Sequence, residues 1–208
     1  DNTVKILKEQ YENKIVLLEN KENHGPSFSR NRWIKASEGE FISFVDSDDY
    51  VSPNYVKCLL SLIKEKNDIV FFNYVNNHHK LACFPKKRNM QLLYLMKRQL
   101  FGYTWNKIFK RKILIQNSIF FDEGLKMCED QLLTFEYIKY CEQIKFFPEK
   151  IYFYNLENNS SLSRKRQTLE TYCKIYAHKK NFFVSNHLFD TKNGRKIFAD
   201  YCASIYIA

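Results

Sequence analysis

Three carboxylates crowd into four residues at Asp46-Ser47-Asp48-Asp49, directly after the apolar run EFISFV at residues 40–45. Like charges so close repel one another unless a cation or hydrogen-bond donors compensate them. Hard divalent ions such as Mg2+ and Mn2+ accept one or two carboxylates together with phosphates and water. The turn therefore suits a metal-held diphosphate; the plain alternative is an Asp-rich turn that caps the next helix. Ser52-Pro53 already supplies that cap. A second acidic pair, Glu129-Asp130, opens an apolar-faced segment. Acids in a first helical turn complement the helix dipole, and the same position lets a carboxylate act as general base. Arg30, in the Arg30-Asn31-Arg32 cluster after Gly25-Pro26, is placed to meet a phosphate near a helix start. A solvated basic face is the competing reading.

The elements that must position these residues alternate. Residues 1–12 carry Val4, Leu7 and Tyr11 at helical spacing, and residues 14–19 (KIVLLE) form an apolar run expected to be a buried strand. A helix is expected from Pro26 to Ser37, a strand over 40–45, a helix from Ser52 to about Lys66, and a strand over 68–75. Such alternation predicts an α/β fold with a mostly parallel sheet flanked by helices. Further on, helices are expected over 90–100 and 129–141, strands over 144–147 and 151–154 around Pro148, and helix after Arg164. Beside these lie the basic clusters Lys110-Arg111-Lys112 and Arg164-Lys165-Arg166 and a surface pair, His78-His79.

Composition narrows the class. Thirty-three Lys and Arg against 23 Asp and Glu leave a net charge of +10, which favours polyanionic partners. With 208 residues and 45% hydrophobic content, the chain buries a core without disulfides or a structural metal. Its six scattered cysteines form no C-x-x-C pair and are expected to be free thiols. No apolar stretch approaches the ~20 residues of a membrane helix, and no secretory or transit signal opens the chain. A cytoplasmic protein is expected; contact with the inner face of the membrane, ordinary helix packing and an acceptor lid are the three readings of the basic, aromatic residues 167–208. Glycine-rich dinucleotide and P-loop fingerprints, nucleophile elbows and zincin helices are all missing.

Residues 23–49, NHGPSFSRNRWIKASEGEFISFVDSDD, resemble the signature of family 2 glycosyltransferases, N-x-G-x-S-x-x-R-N, then A-x-G-E-[YF]-I, then D-S-D-D. Trp105-Asn106-Lys107 with Phe109 and Arg111 is similar to the family's W-N-K segment. Residues 119–124 leading to Glu129-Asp130 are similar to its F-x-E-G … E-D element, and Tyr152-Phe153-Tyr154 with residues 160–164 to its Y-x-Y … S-I-S-R. The resemblance implies a GT-A-type nucleotide-diphospho-sugar transferase fold over residues 1–165, a helical extension over 166–208, and an inverting transfer assisted by Mn2+ or Mg2+. It also implies that Asp46 lies by the ribose and metal, that Asp48 binds the metal, that Arg30 lies near the nucleotide and that Asp130 is the base. Glu129, Trp105, Asn106 and Lys107 would touch the acceptor or shape the site.

The implied partners are a nucleotide-diphosphate sugar donor and a glycan or lipid-linked glycan acceptor, in bacterial surface-glycan synthesis, with no nucleic acid. Two rivals stand beside this: a non-catalytic glycan- or nucleotide-binding relative, and a basic nucleic-acid-binding module. Three departures from the family pattern matter. Its opening S-V-I-I-P-x-Y-N strand and D-D-G-S turn have no counterpart, so part of the donor site is expected to be lacking. Trp33 replaces a small residue, and residues 155–159 carry no histidine.

Overall fold

The computed structural model describes residues 1–63, 67–75, 83–125, 127–155 and 168–206. The elements run α1 (Thr3–Tyr11), α2 (Gly25–Ala36), β1 (Phe41–Ser43), β2 (Tyr50–Val51), α3 (Tyr55–Ile63), β3 (Ile69–Val75) and α4 (Arg88–Lys97). They continue with β4 (Lys107–Lys110), α5 (Arg111–Gln116), α6 (Glu129–Ile138), β5 (Ile144–Phe153), α7 (Leu169–Ser185) and α8 (Lys192–Tyr206). His78-His79 and Arg164-Lys165-Arg166 lie outside the described residues, as does the block at 160–164.

The five strands form one sheet in the order β1-β4-β3-β5-β2. The α/β architecture is as expected, and its sheet is mixed: β3 and β5 run parallel, while β1–β4, β4–β3 and β2–β5 are antiparallel. Two local facts explain the excess of antiparallel pairs. β4 is four residues long with a lysine at each end, so it carries no apolar run by which to recognise it, yet it inserts between β1 and β3. The run at 14–19 adopts no strand at all; Val16 is 81% exposed and Ile15 is exposed beside it.

β5 is a single strand through Pro148. Phe72 pairs with Phe147 and Asn73 with Lys150, so Pro148 and Glu149 are skipped in a bulge. Proline has no N–H to give to a ladder, and a bulge removes the need for one.

β3 is buried on both faces, as expected of a central strand. Ile69 and Phe71 point into a larger core shared with α4 and α6, and Val70 and Phe72 into a smaller one with α3, Trp105 and Tyr152. The C-terminal helices join the larger core: Phe182 of α7 stacks on Phe135 of α6 at 4.3 Å between ring centroids, and Phe183, Leu188 and Ile197 are buried with them. Apolar helix packing thus accounts for much of the aromatic content of this tail. Trp33 turns outward, 47% exposed, so the bulky ring leaves α2 packing through Ile34 undisturbed. Among the described residues, no helix is long and apolar enough to cross a membrane.

Candidate active site

β1 delivers the chain to the acidic turn, and β5 holds the turn in place. The backbone N–H of Asp49 donates to the Asp46 carbonyl at 3.1 Å. The Asp49 carboxylate then accepts from the Tyr152 hydroxyl (2.6 Å) and from the Asn155 N–H (2.8 Å), while the Asp46 N–H donates to that same hydroxyl at 3.1 Å. Asp49 is therefore the structural member of the cluster. Burial raises its pKa, helped by the charges of Asp46 and Asp48, and the two hydrogen bonds oppose the rise. Tyr152 is itself clamped, its ring stacked on Trp105 at 4.4 Å and 9°.

Arg30 closes the other side. It reaches the sheet edge from α2, whose start is shaped by Gly25 at φ 84° and by the Asn23 side chain accepting from the Gly25 N–H. That positive φ is strained for any residue with a Cβ. One guanidinium nitrogen (Nη1) lies 3.0 Å from Asp130 Oδ1 and 3.3 Å from Glu129 Oε1; the other (Nη2) lies 3.1 Å from Asp46 Oδ1. The side chain is 12% exposed. Burial alone would lower its pKa, but Asp130, Asp46 and Glu129 together lift it, so the charge is locked on. Its neighbour Asn31 fastens α2 to the segment before α6, donating to the Phe121 carbonyl and Glu123 and accepting from the Phe121 N–H.

Asp130 enters from the first turn of α6, after Cys128 in the left-handed region at φ 62°. Burial pushes its pKa up to about 7; Arg30 opposes this, Glu129 reinforces it, Lys107 opposes it and Asp46 adds to it. Lys107 is fully buried, and its ammonium donates to the Asn106 side-chain oxygen (2.7 Å) and the Tyr103 carbonyl. Burial drives the Lys107 pKa well down, with Asp130 resisting. Asn106 in turn donates to the Leu100 carbonyl at 3.1 Å. The segment 105–107 thus forms a buried support under the carboxylates: Trp105, 2% exposed, braces Tyr152, and Asn106 fixes Lys107.

Of the residues singled out from sequence, Arg30, Asp46, Glu129 and Asp130 converge, and Trp105, Asn106 and Lys107 lie behind them. Asp48 is exposed on the same turn, whereas the Arg30 guanidinium pairs with Asp46, Glu129 and Asp130. The clusters of Lys110 and Arg111 are used structurally: Lys110 sits 4.0 Å from Asp68, and Arg111 donates to the Ser37 hydroxyl. Sequence reasoning did not single out Tyr152 as a site residue, although it stands in the quoted Y-x-Y pattern. Among the described residues no three acidic, thiol or imidazole groups converge as a metal cage. A turn with two acids and an adjoining basic side chain instead suits an ion that arrives with phosphate ligands of its own.

A family model described as glycosyl transferase family 2 matches residues 1–125. The chain belongs to glycosyl transferase family 2. Among family 2 relatives is the poly(ribitol-phosphate) beta-N-acetylglucosaminyltransferase TarS of Staphylococcus aureus (strain Mu50 / ATCC 700699), 31% identical over 160 residues, 74% of this chain and 28% of TarS. The putative glycosyltransferase EpsH of Bacillus subtilis (strain 168) is 26% identical over 181 residues, 80% of this chain and 52% of EpsH. The chain therefore spans about a quarter to a half of the length of these relatives. The crystal structure of S. aureus TarS 1-349 in complex with UDP-GlcNAc superposes with a TM-score of 0.70 at 24% identity, over 97% of this chain and 59% of that one. That likeness establishes the GT-A fold for this family 2 chain.

Proposed function

We propose that this protein transfers a sugar, with inversion, from a nucleotide-diphosphate donor to an acceptor hydroxyl in the synthesis of a bacterial surface glycan. The observation that carries the reading is the Arg30 guanidinium shared between Asp46 on one element and Glu129 and Asp130 on another. Two acidic groups on opposite sides of one cation match a displacement in which leaving group and nucleophile occupy opposite sides of the reacting carbon.

Asp130 is the base. The acceptor oxygen attacks the anomeric carbon, its proton passes to the Asp130 carboxylate, and the bond from that carbon to the diphosphate oxygen breaks. A single displacement turns an α-linked donor into a β-glycoside. A pKa of about 7 serves this role, because a base is most effective when its pKa lies near the working pH. Arg30 opposes the rise in the Asp130 pKa and presents positive charge toward the donor side. Lys107 lies beneath the base, fully buried and anchored to Asn106 and the Tyr103 carbonyl.

Asp46 and Asp48 are the residues that would hold Mn2+ or Mg2+, as hard oxygen donors two positions apart. A bound ion would neutralise the departing diphosphate. Support for a nucleotide-sugar donor comes from TarS, whose structures contain UDP-GlcNAc and UDP, the latter superposing at 25% identity with a TM-score of 0.65. The basic surface is in keeping with reaction on the cytoplasmic side, next to anionic lipid.

The deciding experiment measures UDP release from UDP-GlcNAc with Mn2+, with and without acceptor glycan. Asp130→Asn is expected to lower turnover at least a hundredfold while leaving UDP affinity within about twofold. Undiminished turnover in that variant removes Asp130 from the role.

A further inference from the structure

The helices α7 and α8 each bury one side and leave the other to solvent. Ile175, Phe182 and Phe183 of α7 turn inward, toward α6. The outer side of α7 carries Leu169, Cys173, Tyr176, Lys180 and Val184, all exposed, with Leu169 at 75% and Val184 at 57%. Those positions recur every three or four residues and form one stripe, about 22 Å long at the helical rise. Apart from Lys180 the stripe is uncharged, and it holds no acid. Glu170, the one acid of α7, stands about 120° round the helix from Tyr176.

α8 packs along the Tyr176 side of this stripe. The Tyr176 ring lies 5.7 Å from that of Phe198, which also meets Phe183 at 5.0 Å. Residues three apart are neighbours on a helix surface, so Arg195 and then Lys192 lead outward from Phe198, away from the buried Ile197. Both are exposed. Arg195 donates to the Phe189 carbonyl, while Lys180 and Lys192 enter no ion pair among the described residues. Of the nearby acids, Asp200 lines the cleft beside Lys179, and Asp190 lies 3.7 Å from His187.

An aliphatic and aromatic stripe beside a row of cations selects its partner by elimination. A nucleic acid would meet the cations and leave Leu169 and Val184 unsatisfied. A second copy placed on the same face by a two-fold axis would bring the cation rows together, like charge against like. An anionic lipid surface satisfies both halves. Apolar side chains enter the boundary between headgroups and acyl chains, and lysine and arginine meet the lipid phosphates. The position has a consequence for the reaction. Phe182 stacks on Phe135 of α6, and Lys174 pairs with Asp122 just before that helix, so a surface held by α7 is also held relative to Asp130.

We propose that the outer face of the α7–α8 pair docks on an anionic lipid surface, with Leu169, Tyr176 and Val184 entering the headgroup boundary and Lys180, Lys192 and Arg195 meeting lipid phosphates. The inference goes beyond sugar transfer. Vesicle binding is read without donor or acceptor, so its failure and a failure of UDP release are separate results.

Sedimentation with vesicles of phosphatidylcholine alone, and of phosphatidylcholine mixed equally with phosphatidylglycerol, tests it. The protein is expected to bind the mixed vesicles at least tenfold more tightly, and to leave them as NaCl rises to about 0.5 M. Leu169→Glu with Val184→Glu, and separately Lys180→Glu with Lys192→Glu, should each weaken that binding at least tenfold. All four side chains are exposed, so melting temperature and UDP affinity should hold. Val56→Glu with Leu60→Glu puts the same charges on an exposed apolar pair of α3 and should change binding by no more than about threefold. Equal binding to both vesicles, binding to neither, or an α3 pair as damaging as the α7 pair overturns the proposal. So does a dimer that dissociates in Leu169→Glu with Val184→Glu while vesicle binding stays unchanged, which would give the face to a second copy.

Discussion

Arg30 Nη1 lies 3.0 Å from Asp130 Oδ1, across one hundred residues of sequence, and this ion pair sets the charge state of the site. The same guanidinium holds Glu129 and Asp46. Removing it as Arg30→Met leaves three partly buried carboxylates facing one another. Breaking a buried ion pair from one side costs roughly 3–5 kcal/mol, so the midpoint of urea unfolding should fall markedly at pH 7.5. Arg30→Lys is expected to recover little, since a point charge cannot bridge three carboxylates as a planar fork does. Wild-type unfolding in the lysine variant would contradict the shared-fork reading.

The pKa of Asp130, raised to about 7 by burial, gives the activity an acid limb. The rate under limiting acceptor should rise with pH, reach half its plateau near 7, and level off above. The stability effect has the opposite direction. A carboxylate whose folded pKa exceeds its unfolded value near 4 binds more protons when folded, so its contribution is full below ~4 and is lost as pH rises through about 7. Thermal melts of Asp130→Asn should therefore show a flatter fall in Tm between pH 5 and 8 than the unmodified protein.

Tyr152→Phe removes the hydroxyl that donates to Asp49 and accepts from the Asp46 N–H, while the ring keeps its stack on Trp105. A buried hydrogen bond to a charged group is worth about 1.5–3 kcal/mol, so thermal stability should drop by an amount of that order. The loosened turn should raise the KM for the nucleotide sugar several-fold and leave the KM for acceptor nearly unchanged. An equal rise in both would argue that Tyr152 supports the whole sheet edge rather than the donor turn.

Asp48→Ala alters an exposed side chain and should leave the melting temperature within about a degree, because surface substitutions rarely exceed 0.5 kcal/mol. If Asp48 holds the divalent ion, the Mn2+ concentration giving half-maximal UDP release should rise at least tenfold. Chelation with EDTA should stop UDP release by the unmodified protein. An unchanged Mn2+ titration in the variant would exclude Asp48 as a ligand.

Much of this architecture was legible from local pattern. The helices α2, α3, α4 and α6 and the strands β1 and β3 lie where periodicity and capping residues put them, since those signals are carried by neighbours three or four residues apart. The acidic turn after β1 and the acids opening α6 were equally plain. Failures came where local pattern and tertiary need diverge. The KIVLLE run has the composition of a buried strand but finds no partner, whereas β4, flanked by lysines, becomes a central strand because β1 and β3 pair with both its edges. Lys107 is the extreme case: a charged residue buried completely, satisfied by Asn106 and the Tyr103 carbonyl.

Residue types and their order were enough to name the acids, the arginine and the family they resemble. Which acid is tied to the sheet and which acids share one cation depended on packing. Arg30 meets Asp46, Glu129 and Asp130 over separations of 16, 99 and 100 residues, and Asp49 is claimed by Tyr152 over 103. Contacts that long leave no periodic trace in a chain. They arise only when a helix and a sheet edge close on one another, and the same closure takes Asp130 out of water and raises its pKa.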